Sequence, residues 1–265
     1  MKVALVQLDS DPDREPQASR EAAAVRVGEA AADGARLVVL PELWLHGAFD
    51  AEPWPKTAEP LDGETAAAMR QTASVHGIVL HAGSIVERVP EGEFYNTSLV
   101  LGPEGQDLAV YRKIHRFGFD QGEAAFMSAG RDLVTFDVLD DAAGRLTRVG
   151  LATCYDLRFP EMFRKLVDAG VQTVIIPAAW PARRREHWRI LLQARAIENQ
   201  VYVLACVAVG TQAGLDMSGH SMVIDPWGAI LVEGGEGEQI IHADIDLGLV
   251  DETRDRFPVL RDRRL

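Results

Sequence analysis

The stretch Val149-Gly150-Leu151-Ala152-Thr153-Cys154-Tyr155-Asp156-Leu157-Arg158-Phe159-Pro160-Glu161 runs from a strand-like apolar segment straight into a cysteine and a helix-starting pattern. A thiol at the junction of strand and helix is presented for chemistry. The partial positive charge of a helix N-terminus there favours thiolate. The competing reading is a half-buried structural cysteine, because free cysteines are among the most buried residues. On this segment alone both readings stand.

Outward from it, strand-like and helix-like stretches alternate. Pro160 to Ala169 reads as a helix stopped by Gly170, followed by the buried strand Val174 to Pro177. Upstream, Val3 to Leu8 alternates as a strand, Gln17 to Ala32 is an alanine-rich helix, and Leu37 to Leu40 is a short buried strand closed by Pro41-Glu42. Gly63 to His76 reads as a helix and Ile78 to Val86 as a strand. Asn96 to Leu101 and Asp107 to Lys113 flank Gly102-Pro103-Glu104-Gly105, which predicts a hairpin. Leu133 to Val138 and Leu146 to Ala152 form a further strand pair. Downstream come a helix over Glu186 to Gln200, a strand over Val201 to Val209, a hairpin around Asp225-Pro226-Trp227-Gly228, and a last strand over Ile240 to Ile245. The tail from Leu247 is charged and weakly patterned. No repeat or linker divides the chain, so one domain over residues 1–265 is expected. Two mixed β-sheets packed back to back with helices outside, an α/β layered fold, fit about a dozen strands and few helices.

The bulk numbers narrow the function. Of 265 residues, 47% are hydrophobic and 25% charged, an ordinary soluble composition. The net charge of −13 offers no long-range attraction to nucleic acid or anionic membranes, so neither is expected as a partner. The basic runs Arg183-Arg184-Arg185 and Arg261 to Arg264 read as solvated faces. Two cysteines without a CxxC pair point to a reducing, cytoplasmic compartment. The N-terminal apolar run is too short for a signal h-region, and no stretch approaches the roughly 18 apolar residues needed to span a bilayer. The seven histidines show no HExxH and no tight ligand cluster, so no metal is expected. His46 and His115 read as capping strand ends. There is no GxSxG, which disfavours a serine hydrolase.

Three apolar runs end in a reactive residue: Glu42 after Leu37 to Pro41, Lys113 after Leu108 to Arg112, and Cys154. Strand ends of a sheet protein can converge on one crevice. A carboxylate can take the thiol proton and pass it to a leaving amine. An ammonium lowers a thiol pKa and stabilises an oxyanion. Taken singly, Glu42 and Lys113 could be an ordinary ion pair. Trp180 follows a strand end and is the better pocket wall among Trp44, Trp180 and Trp188. Cys206, inside an apolar strand, reads as core.

Several motifs together resemble the nitrilase, or carbon–nitrogen hydrolase, superfamily. Leu40-Pro41-Glu42 is similar to its glutamate motif, Tyr111-Arg112-Lys113-Ile114-His115 to its lysine motif, and Cys154 to Glu161 to its cysteine motif. His187-Trp188, Gln193 to Gln200, Gly219-His220-Ser221 and Asp225 to Gly228 extend the resemblance from Val3 to about Arg264. It implies a four-layer α-β-β-α sandwich, usually paired into homodimers, with the tail from about residue 247 in the contact. It implies a Glu42–Lys113–Cys154 triad, no cofactor, and a thioester intermediate. Glu123, ahead of Gly130, holds the place of the family's second glutamate, positioning the substrate amide or Lys113. The backbone N–H of Tyr155 joins Lys113 in holding the oxyanion.

Cys154 to Glu161 and Ala179-Trp180-Pro181 look most like the omega-amidase group. Such enzymes cleave the terminal amide of small carboxylate-bearing amides, of 2-oxoglutaramate or 2-oxosuccinamate type, to acid and ammonia. On a chain of −13 a local cation must meet that carboxylate. Arg158 is the candidate, with pairing to Asp156, Glu161 or Glu198 as the equal alternative. Related substrates (deaminated glutathione, N-carbamoyl amino acids, nitriles) and a non-catalytic binding protein on the same fold remain the competing readings.

Overall fold

The computed structural model describes residues 1–11, 14–140 and 144–264. In chain order the strands are β1 (Lys2–Gln7), β2 (Leu37–Val39), β3 (Val79–Arg88), β4 (Phe94–Leu101), β5 (Asp107–Arg112), β6 (Thr135–Asp140), β7 (Arg145–Leu151), β8 (Thr173–Ala178), β9 (Tyr202–Val207), β10 (Thr211–Gln212), β11 (Leu215–Asp216), β12 (Met222–Ile224), β13 (Ile230–Glu233) and β14 (Gln239–Asp244). The helices are α1 (Pro16–Ala32), α2 (Trp54–Thr57), α3 (Glu64–His76), α4 (Gly122–Phe126), α5 (Pro160–Asp168), α6 (Arg185–Asn199) and α7 (Leu249–Arg256).

Two six-stranded sheets result, ordered β14-β1-β2-β3-β4-β5 and β13-β12-β9-β8-β7-β6. Each has a parallel centre, β1-β2-β3 in one and β7-β8-β9 in the other, flanked by antiparallel strands. Both are therefore mixed, as expected. Strand period explains the layering. In β1, Val3 and Leu5 join the core shared with Leu151, Ile175 and Leu204 of the second sheet. The alternate Ala4 and Val6 pack on Val27 and Ala30 of α1 and Met69 and Ala73 of α3. On the far side, Phe163 and Leu166 of α5 and Leu192 and Ala196 of α6 cover the second sheet. The order is helix, sheet, sheet, helix.

The expected helices appear with shifted ends. Gly77 closes α3 in the left-handed conformation. Gln200, expected to continue α6, instead adopts φ 50° and ends it. The tail is not unpatterned: α7 carries Asp251 and Glu252 in its first turn and Arg254 and Arg256 in its last, matching the helix dipole. Only Val250 and Thr253 of α7 are buried, so its apolar stripe is too thin to show as a period. The hairpin β10–β11, turning on Ala213 and Gly214 at positive φ, and the short α2 and α4 had no periodic signal at all. No helix of the described residues is long and apolar enough to cross a membrane.

Candidate active site

The ends of the two sheets meet at one buried cluster. β2 runs into Leu40-Pro41 and a turn that carries Glu42. Gly83 lets β3 pass this turn closely: a Cβ there would lie 2.0 Å from the Pro41 carbonyl oxygen. Lys113 follows β5 and extends its ladder, its N–H donating to Asn96 O at 2.9 Å. Gly130 seats the returning chain on this point, donating its N–H to Lys113 O at 2.9 Å; a Cβ at Gly130 would strike Arg112 O at 1.9 Å. Glu123 comes from the first turn of α4.

Lys113 Nζ lies 2.7 Å from Glu42 Oε1 and 2.8 Å from Glu123 Oε2. Asn96 Nδ2 ties the same two carboxylates, donating to Glu42 Oε1 at 2.8 Å and to Glu123 Oε1 at 2.9 Å. The Phe117 N–H donates to Glu123 Oε2 at 2.9 Å. Two of the three ammonium donors are thereby used and one is left for a ligand. Lys113 and Glu42 are 2% and 1% exposed. Burial works against the Lys113 charge, but Glu123 and Glu42 outweigh it and hold its pKa well above the ordinary value. Burial, with a contribution from Glu42, raises the Glu123 carboxyl against the pull of Lys113.

The second sheet brings the thiol. After β7 the chain tightens into a 3₁₀ turn, Cys154–Arg158, in which Cys154 adopts φ 48°. A left-handed non-glycine residue costs about 1–2 kcal/mol and persists only where neighbours hold it. Asp156, fully buried, does the holding. Its Oδ2 accepts the Thr153 N–H at 2.8 Å and the Tyr111 hydroxyl at 2.6 Å; its Oδ1 accepts the His115 N–H at 2.9 Å and lies 2.8 Å from His115 Nδ1. His115 thus braces the elbow rather than capping a strand, and stacks on Phe159 with centroids 3.7 Å apart. The residue after β8, Ala179, joins the two halves: its N–H donates to Glu42 Oε2 at 2.9 Å and its carbonyl accepts from Cys154 Sγ at 3.5 Å.

One expectation is reversed. Burial and the Glu42 carboxylate push the Cys154 thiol well above its ordinary pKa, and Lys113 offsets this only in part. Lys113 neutralises one of the two carboxylates beside it, so a thiolate would add a second uncompensated negative charge. Burial and the adjacent carboxylate thus favour the thiol form of this sulfur over the thiolate.

These groups open into one pocket. All seven residues singled out from the sequence line it: Glu42, Lys113, Glu123, Cys154, Tyr155, Arg158 and Trp180. Arg158 takes none of its alternative roles as a partner of Asp156, Glu161 or Glu198. Asp156 is filled as described, and Glu198 pairs with Arg195 at 2.7 Å. Among the described residues Arg158 has no carboxylate partner. Its guanidinium lies over the Trp180 ring, 4.8 Å from the centroid, with His187 Nδ1 at 3.4 Å. Trp44 and Trp188 are core, the latter donating to His220 O. His46 is buried outside this pocket, and its imidazole is pushed down to about 4 by burial. Cys206 is core, its thiol donating to Val6 O at 3.4 Å and raised by burial. No group of metal-binding side chains occurs among the described residues.

The sequence reading missed three participants. Asn96 and Ala179 act through cross-strand and cross-sheet neighbours that spacing does not reveal. Arg184, read as part of a solvated basic run, also lines the pocket.

The family model for carbon-nitrogen hydrolases matches residues 2–255. The chain belongs to the carbon–nitrogen hydrolase family. It is accordingly a hydrolase of carbon–nitrogen bonds other than peptide bonds. It is 40% identical to a 2-oxoglutaramate amidase of Paenarthrobacter nicotinovorans over 87% of this chain and 79% of the relative. It is 37% identical to the human omega-amidase NIT2 over 99% of this chain and 95% of that protein. In structure it is similar to Saccharomyces cerevisiae Nit3, a member of branch 10 of the nitrilase superfamily. The TM-score is 0.89 at 32% identity, covering 100% of this chain and 97% of the other. The four-layer α-β-β-α sandwich is that of this family.

Proposed function

We propose that the protein is a cysteine-dependent omega-amidase, releasing ammonia from small amides that carry a carboxylate at the other end. The observation that carries this reading is the arrangement of the pocket. A thiol, a carboxylate and an ammonium are buried together on one side, and an arginine without a carboxylate partner stands on the wall. The relatives named as 2-oxoglutaramate amidase and omega-amidase support it.

In this mechanism Glu42 takes the Cys154 proton as sulfur attacks the amide carbonyl carbon. The remaining N–H of Lys113 and the backbone N–H of Tyr155 hold the oxyanion. Glu42 returns its proton to the amide nitrogen, the C–N bond breaks, and ammonia leaves a thioester. Glu42 then takes a proton from water, the hydroxide adds to the thioester, and the C–S bond breaks. The sulfur recovers its proton and the carboxylic acid departs. Glu123 and Asn96 keep Lys113 and Glu42 in register. Arg158 holds the carboxylate of the substrate.

Ammonia release from a panel of ω-amides tests the reading. The wild type turns over dicarboxylate monoamides, Cys154→Ala does not, and Arg158→Met raises KM for anionic amides more than for neutral ones. Hydrolysis confined to neutral amides, nitriles or N-carbamoyl amino acids would replace the substrate assignment. Ammonia from no compound, with a thiol inert to iodoacetamide, would favour the binding-protein reading.

A further inference from the structure

Arg184 lines the same pocket as Arg158, from the turn that follows Trp180 and Pro181. A 3₁₀ turn, Ala182–Arg184, follows β8 and is pinned twice: the Arg184 N–H donates to Pro181 O at 2.9 Å, and the Trp180 indole N–H donates to Arg184 O at 2.8 Å. The Arg184 guanidinium lies over the Phe117 ring, 5.2 Å from its centroid. It is half-buried, lines the catalytic pocket, and makes no hydrogen bond or ion pair through its guanidinium among the described residues. Burial, then Arg183 and Arg158, push its pKa down from the ordinary value.

Two guanidiniums in one pocket, neither paired with a carboxylate among the described residues, repel each other. The chain tolerates this next to a thiol whose own neighbours are acidic. Each guanidinium is backed by an aromatic face, which fixes its plane and leaves its N–H edge for a planar anion. Arg158 over Trp180 and Arg184 over Phe117 are coupled through the Trp180 ring, which touches one and hydrogen-bonds the backbone of the other.

We propose that Arg184 is a second specificity-determining residue, which with Arg158 grips the carboxylate of the substrate from two sides. This rests on the amidase reading for the substrate but not for its test. The substrate class follows: a short chain with the scissile amide at one end and a carboxylate at the other.

The test needs no turnover. Iodoacetate and iodoacetamide both alkylate Cys154, the sulfur displacing iodide, and they differ by one carboxylate. The ratio of their alkylation rates is compared in wild type, Arg158→Met, Arg184→Met, Arg184→Lys and Arg183→Met. Arg183 is exposed and outside the pocket, so its removal changes the net charge equally. The expected ratio falls roughly ten- to a hundredfold in Arg158→Met and in Arg184→Met, the factor of one charge-assisted hydrogen bond. It falls less in Arg184→Lys and is unchanged in Arg183→Met. A ratio unmoved by Arg184→Met, or lowered as much by Arg183→Met, overturns the proposal. Absence of amide turnover with the ratios as expected would sink the amidase reading and leave the anion grip standing.

Discussion

Replacing Lys113 with methionine should cost stability in a way that depends on pH. The ammonium lies 2.7 Å from Glu42 and 2.8 Å from Glu123, both buried. At an effective dielectric of about 20, each contact has a gross Coulomb energy of about 6 kcal/mol, most of it offset by desolvation of the three charges. Removing one partner of a buried pair costs about 3–5 kcal/mol, because it strands the other charge. At about 2 °C per kcal/mol for a chain of this size, the melting temperature falls by about 6–10 °C at neutral pH. The Glu123 carboxyl is already raised in the wild type by burial, and Lys113 is the group that lowers it. Without Lys113 its folded pKa rises further above the unfolded value of about 4.3. A group raised on folding contributes stability at low pH and loses it as pH climbs through the folded value. The deficit of the variant should therefore shrink as pH falls from neutral toward the unfolded carboxyl value, by up to about 1.4 kcal/mol per pH unit for each proton taken up. Thermal melts of both proteins across that range measure it. A deficit that is constant with pH, or a variant as stable as the wild type, would refute the reasoning.

Glu42→Gln should separate reactivity from turnover: amide hydrolysis falls about 10²–10⁴-fold with loss of the base, while iodoacetamide alkylates Cys154 faster near neutral pH. The second effect follows because Glu42 raises the thiol pKa, and a fall in both rates would contradict it. A homodimer is expected across the outer face of α6. Ile190 and Ile197 are exposed there, and Ile197 abuts Gly228 next to Trp227, which stacks on Phe257 just beyond α7. Light scattering should give twice the monomer mass, and Ile197→Glu should return it to one; a monomeric wild type would rule the dimer out.

The three strand-end residues Glu42, Lys113 and Cys154 were legible because each ends an apolar run, and the sheet carries such ends to one edge. Glu123 was legible only through family resemblance, since its helix, α4, is too short to show a period. What the sequence could not show was contact between distant segments. Asn96 is an ordinary strand residue until β4 places it beside both carboxylates. Asp156 was a candidate partner for Arg158, but Tyr111, Thr153 and His115 consume its oxygens first. Arg184 was lost in a basic run in which Arg183 does face solvent and Arg185 pairs with Glu236. The thiol was expected to ionise early because local charge was visible and burial was not. The fold class itself followed from alternation and hairpin signals, which are local.

The buried cluster proposed to do the chemistry straddles the seam between the two sheets. Glu42, Asn96 and Lys113 belong to the first, Cys154 and Ala179 to the second, and the Ala179 peptide stitches them with one donor and one acceptor. Sideways slip of one sheet over the other would part Glu42 from Cys154, the base and nucleophile of the proposed mechanism, without unfolding either. The apolar core shared by the sheets, with Leu5 and Val39 from one and Leu151 and Ile175 from the other, and the Cys206 thiol on Val6 O would on the proposed mechanism hold Glu42 and Cys154 in lateral alignment. A core residue many ångströms from the substrate can on this account set the turnover rate through nothing more than the lateral position of a sheet.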